Sequence, residues 1–188
     1  MFETASTSLF TALLQRDTLK ALTLTQPWAT LVAFEAKRFE TRSWLTEYQG
    51  PLVIQAAKGF PGWAEDLCNK EPFRSSLEEA GYSRNPEVKH NPWCLPLGPI
   101  VAVVWLDGVE RITQNYPVSM TERAFGNYAP GRYAWSLSKV YRLTTPIAAR
   151  GSLGLWSWQP PESFWAEIQA QHEQELGSQH KTDKVEVL

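Results

Sequence analysis

The chain has 188 residues, with 18 Lys and Arg against 20 Asp and Glu and a formal charge of −2, a length that suits one compact domain. Hydrophobic residues make up 43% and charged residues 20%, which is ordinary globular composition and excludes a wholly disordered chain. The longest apolar run, residues 100–106, falls well short of the roughly 20 residues of a membrane helix, so no membrane span is expected.

The first residues lack the basic-then-apolar pattern of a secretory leader. Cys68 and Cys94 lie far apart, make no disulfide framework and suit a reducing cytoplasm. No CxxC or HxxxH pair occurs, so neither a metal site nor a cofactor is expected.

Residues 1–19 read as a loosely held arm with a short helix over 9–14. Residues 21–24 alternate as a strand. Pro27, following Thr25 and Gln26, starts a helix in which Trp28, Leu31 and Val32 form one stripe. Residues 40–44 read as extended, and 51–57 (PLVIQAA) as a buried strand after the Gln49-Gly50 turn. The stretch 60–97 holds Pro61, Pro72, Pro86, Pro92 and Pro96 around a helix predicted from Trp63 to about Ala80, the texture of an insertion or lid.

A strong strand follows Gly98 and is expected to end at the Asp107-Gly108 turn signal. Residues 133–143 alternate again, with Tyr133, Trp135 and Leu137 on one face. Residues 146–150 and 154–158 read as two further short strands around a Gly-rich turn. Pro160-Pro161 opens a helix from 162 to about 176 that docks through Phe164, Trp165 and Ile168, and 177–188 form a polar tail. The expected fold class is α+β, mainly β: a small barrel of five to six strands with an early helix and a C-terminal helix at its ends.

The near-neutral charge is unevenly spread. Residues 16–58 hold six Lys and Arg against four acids and 121–158 hold five against one, a net +6, whereas 61–120 carry −3 and 159–188 carry −4. A basic body with acidic attachments is compatible with local phosphate binding.

The densest polar constellation runs from Glu35 to Trp44 (EAKRFETRSW). In an extended segment Glu40, Arg42 and Trp44 share one face and Thr41 and Ser43 the other, while Lys37, at the helix exit, can approach Glu40. Two readings stay open. Either Glu40 simply pairs with Lys37 or Arg42 and Trp44 is core, or the cluster sits in a cleft, binds phosphate or base edges, and uses Glu40 to orient or deprotonate.

This segment resembles the signature of the ASCH (activating signal cointegrator homology) domain, G-x-K-x-x-E-x-R. Lys37, Glu40 and Arg42 match, and Glu35 stands where glycine is expected. The flanks LTLTQPWA (22–29), YQGP (48–51) to Lys58, GRYAW (131–135) and GLWSW (154–158) are similar to blocks of the same family in the same order. The likeness covers about residues 20–158, with 60–97 variable. Glycine at position 35 would end the helix in a left-handed turn at no steric cost; glutamate is poorer there and adds negative charge.

The resemblance implies a PUA-like barrel that binds RNA or a modified nucleobase in a cleft between the early helix and the barrel mouth. Lys37, Glu40, Arg42, Ser43 and Trp44 are the implied binding residues, with Gln55, Lys58, Arg132 and Tyr133 as further candidates at the mouth. The alternative it implies is a hydrolase. One ASCH branch cleaves N4-acetylcytidine with a Lys, a Thr and a Glu; here Lys37 matches the Lys, Glu40 stands in place of the Thr, and Glu122 is a candidate for the Glu. Other members are reported as ribonucleases, for which Lys37 with a hydroxyl (Ser43, Tyr133) would serve as general acid and base and Arg42 as phosphate clamp. If the chain is an enzyme, Lys37 and Glu40 are the expected catalytic residues. A third reading is a protein-interaction adaptor that docks a partner through the Pro-rich insertion or the acidic C-terminal helix. Within the insertion, Trp63 and Trp93 either face a ligand or pin the segment down.

Overall fold

A computed structural model of the chain describes residues 9–185, with side chains to residue 174. In chain order the elements are α1 (Leu9–Leu14), β1 (Leu19–Leu24), α2 (Trp28–Ala33), β2 (Phe39–Arg42), β3 (Gly50–Ala56), α3 (Gly62–Cys68), α4 (Phe73–Glu79), β4 (Pro99–Arg111), α5 (Met120–Ala124), β5 (Tyr133–Ala148), β6 (Leu155–Trp158) and α6 (Glu162–Val185). The six strands form one mixed sheet in the order β2-β5-β4-β3-β1-β6, parallel between β1 and β3 and antiparallel elsewhere. The class is α+β and mainly strand, as expected.

Period-two alternation divides the strand side chains between two cores. Leu22, Leu24, Leu52 and Ile54 face one side, where they pack with Ala29 and Val32 of α2 and with Trp135. Leu19, Ala21 and Val53 face the other, covered by Leu9 and Leu13 of α1 and by Phe164 and Ile168 of α6. The arm expected over 1–19 is therefore, from residue 9 onward, part of the core; residues 1–8 lie outside the described residues. At the other end, α6 extends to Val185, into the segment expected to be tail.

Four expectations are corrected. The sheet is open, because its ladder ends at β2 on one side and β6 on the other with no pairing between them. Strand β6 covers β1 only from Leu19 to Leu22, so Thr23 and Leu24 face a seam toward β2 that is bridged by a side chain, Arg42 Nη2 donating to the Thr23 carbonyl at 3.3 Å. The Asp107-Gly108 pair ends nothing: β4 runs through it, taking up the dipeptide in a register shift between Leu106 and Gly108. Strand β5 likewise absorbs the segment expected as a separate strand at 146–150, since its pairing with β4 continues to Ala148. The single helix expected over 63–80 is two, α3 and α4, divided ahead of Pro72, as a proline lacking its N–H dictates. Among the described residues no helix is long and apolar enough to cross a membrane.

Candidate functional site

Gln26, two residues ahead of α2, ties the start of the helix to the insertion: its Oε1 accepts from the Thr30 N–H at 3.1 Å while its Nε2 donates to the Pro96 carbonyl at 2.9 Å. At its far end Glu35 adopts φ +61°, a left-handed turn that glycine would adopt without strain. That turn lets the Lys37 N–H reach back to the Leu31 carbonyl at 3.1 Å and folds Lys37 beneath the helix, where it is 1% exposed.

The buried ammonium donates to the Phe39 carbonyl and lies 3.7 Å from Glu40 Oε2 and 3.8 Å from Glu122 Oε1. Glu122 sits in the first turn of α5, whose N-cap Ser119 hydroxyl accepts from the Glu122 N–H at 3.1 Å. Its carboxylate accepts from the Arg38 N–H at 2.8 Å, the Phe39 N–H at 3.2 Å and the Tyr128 hydroxyl at 3.1 Å. Burial holds the Lys37 ammonium below the usual lysine range, opposed by the charges of Glu40 and Glu122. Burial and the Glu122 charge push the Tyr128 hydroxyl well up. The structure thus brings Lys37, Glu40 and Glu122 together, but in a sealed network that ties β2 to α5.

Above this network lies a cavity of about 420 Å³ in the seam between β1 and β2. Its floor is Glu40, Thr41 and Arg42, and its walls are aromatic: Trp28 from α2, Trp63 from α3 and Phe73 from α4. The Trp28 and Trp63 rings lie 5.8 Å apart at 46°, and Phe73 meets Trp28 edge-on at 5.9 Å. Trp28 is held by its indole N–H, which donates to the Phe125 carbonyl at 2.6 Å, whereas Trp63 is 60% exposed. Arg42 Nε stands 2.9 Å from Glu40 Oε1, out of line for a hydrogen bond. Thr41 Oγ1 accepts from the Asn127 N–H at 3.0 Å, which fastens the 125–127 loop as a further wall.

A second cavity, of about 620 Å³, adjoins the first and shares Thr23, Thr25 and Arg42 with it. It adds Lys58 and Arg150, and no carboxylate lines it.

The expected site residues divide accordingly. Glu40 and Arg42 floor the aromatic cavity, and Lys58 lines the second. Gln55 borders the second cavity but is consumed within the fold: its Nε2 donates to the Gly98 and Ala149 carbonyls at 2.8 and 2.9 Å and its Oε1 accepts from Thr23. Arg132 spends its guanidinium on the Asn127 and Thr41 carbonyls, at 3.1 and 3.2 Å. Trp44 meets buried Trp135 edge-on at 4.6 Å, and Tyr133 packs on the same core. Ser43 is exposed and lines neither cavity. Of the insertion tryptophans, Trp63 faces the cavity, while Trp93 is 1% exposed and pins α3 through a 3.3 Å bond to Asn69 Oδ1.

Sequence reasoning did not single out Trp28, Thr41, Phe73, Asn127 or Arg150 as site residues. Only Arg150 carried a usable signal, a cation at the head of a Gly-rich turn. The others follow from the packing of the insertion and α5 against the seam. Compared with models of known families and with curated proteins, the chain matches none.

Proposed function

We propose that the chain is an ASCH-type nucleic-acid-binding protein whose ligand, RNA or a modified nucleobase, enters the seam between β1 and β2. The observation that carries this reading is the aromatic cavity: flat walls of Trp28, Trp63 and Phe73 above a Glu40–Arg42 floor. Its volume falls in the range of small-molecule sites. Rings of this kind stack bases regardless of sequence, while a carboxylate beside a guanidinium offers an acceptor and donors to a base edge. Two free cysteines, Cys68 and Cys94, accord with a protein of a reducing cytoplasm.

Binding is favoured over hydrolysis because Lys37, the residue on which both hydrolytic alternatives depend, has its ammonium engaged by Phe39, Glu40 and Glu122 and lines neither cavity. The test is fluorescence anisotropy with single-stranded RNA at low and moderate salt. Binding that weakens with salt and drops on Arg42→Ala in folded protein is the expected result. No binding of any RNA or nucleoside at low salt overturns the reading.

A further inference from the structure

The two cavities differ in chemistry. The aromatic one contains a carboxylate and a guanidinium and is close to charge-balanced. The second gathers Arg42, Lys58 and Arg150 with no acid in its lining. Lys58 and Arg150 have no ion-pair partner among the described residues.

The fold positions the Lys58 stem and the backbone that follows Arg150. The Lys58 stem lies across Gly98, where a Cβ would fall 3.0 Å from Lys58 Cγ. The loop that follows Arg150 is seated on Gln55, because a Cβ on Gly151 would fall 1.9 Å from Gln55 Oε1. Gln55 in turn is fixed by Thr23, Gly98 and Ala149. A buried glutamine thus organises the rim on which the cations stand. Lys58 and Arg150, which unlike Arg42 have no carboxylate partner among the described residues, raise the local concentration of anions at this concavity, and guanidinium and ammonium groups bind phosphate oxygens through charge-assisted hydrogen bonds.

We infer that the cavity lined by Arg42, Lys58 and Arg150 is a phosphate compartment, so that the ligand is a nucleotide, free or within a strand, whose base occupies the adjoining aromatic cavity. This rests on the base-binding reading above and adds to it the phosphate and the residues that hold it. Arg42, common to both linings, would lie between base and phosphate. The exposed Lys58 and Arg150 can be replaced without disturbing the core.

The test is calorimetric titration of the full chain with the four common ribonucleosides, their 5′- and 3′-monophosphates, inorganic phosphate and a single-stranded RNA, repeated on Lys58→Ala, Arg150→Ala and the double variant. The expected result is that at least one monophosphate binds about tenfold or more tightly than its nucleoside, the scale of one charge-assisted contact. That advantage should disappear in the double variant while nucleoside affinity is retained. For the RNA, the double variant should weaken binding and flatten its salt dependence. Equal affinity for nucleoside and monophosphate, with RNA binding unaffected by the double variant, overturns the phosphate compartment and leaves base binding standing. Inorganic phosphate binding as tightly as any monophosphate also overturns it, since the cavity would then be an anion site unconnected with a base. Failure of nucleosides, nucleotides and RNA alike removes the base-binding reading itself.

Discussion

Replacing Glu122 by glutamine tests whether the sealed network is what holds the β1–β2 seam in shape. The native carboxylate accepts from two backbone N–H groups and a tyrosine hydroxyl and faces the Lys37 ammonium at 3.8 Å. Glutamine preserves the shape and one acceptor oxygen, so one of the Arg38 and Phe39 N–H groups loses its acceptor, and Lys37 keeps only Glu40 as an anionic partner. Losing a hydrogen bond to a charged group is worth about 1.5–3 kcal/mol. Breaking a buried ion pair outright costs about 3–5 kcal/mol, which sets an upper bound because Glu40 remains. A loss of about 2–3 kcal/mol is expected, or about 5–10 °C in melting temperature for a chain of this length.

The pH dependence gives the loss a signature. Lys37 titrates below its unfolded value in the folded state, so the folded protein releases that proton first, and this group's contribution to stability rises with pH up to the unfolded lysine range. Without Glu122 the shift deepens. The deficit of Glu122→Gln relative to wild type should therefore shrink as pH is raised from neutrality toward the unfolded lysine range. Urea unfolding followed by tryptophan fluorescence at several pH values measures both parts. A variant within about 0.5 kcal/mol of wild type at pH 7, less than any of these contributions, with no trend on raising pH, would refute the reasoning.

Three further outcomes are expected. Trp63→Ala should leave the urea midpoint nearly unchanged, because the side chain is 60% exposed, yet weaken single-stranded RNA binding by about 1–3 kcal/mol, the scale of one base stack; unchanged affinity by anisotropy would remove Trp63 from the site. Glu35→Gly should stabilise the fold by about 0.5–1 kcal/mol, because relief of the left-handed turn outweighs loss of an exposed pair with Arg38, and a lower urea midpoint would contradict it. Burial and Glu110 push the Tyr116 hydroxyl up to about 12; since the folded value lies above the unfolded one of about 10, the stabilisation is complete below pH 10 and lost from 10 to 12. Tyr116→Phe should flatten that decline, and an identical alkaline unfolding profile would count against it.

Strand positions were legible in the sequence from alternation in β1 and from a short, continuous apolar run in β3, because a sheet covered on both faces selects apolar residues at both parities. Asp107-Gly108 misled because the register shift between β4 and β5 accommodates a turn-like dipeptide without a turn. Closure into a barrel was not legible at all. It depends on whether β2 reaches a partner edge, and here the seam is occupied by a cavity. Lys37, Glu40 and Arg42 were found by their spacing, but spacing could not say which of them faces solvent. That is decided by the turn at Glu35, which draws Lys37 inward, and by Glu122, which lies more than eighty residues away in sequence. Trp28 reads as core from its helical stripe, and it is the insertion packing opposite that makes it a cavity wall.

Lys37, Glu40 and Arg42 consequently have graded roles. Lys37 belongs wholly to the foundation, and Glu40 belongs to both foundation and cavity floor, with Oε2 toward Lys37 and Oε1 toward Arg42. Arg42 alone reaches from that floor into the second cavity while its Nη2 bridges the seam to Thr23. A lysine at position 42 retains the charge but cannot hold Glu40 and the Thr23 carbonyl and still present a donor to the second cavity, because its ammonium is a point and not a fork. Position 42 therefore requires arginine for geometric reasons, whereas position 37 needs only a cation long enough to be buried between two carboxylates.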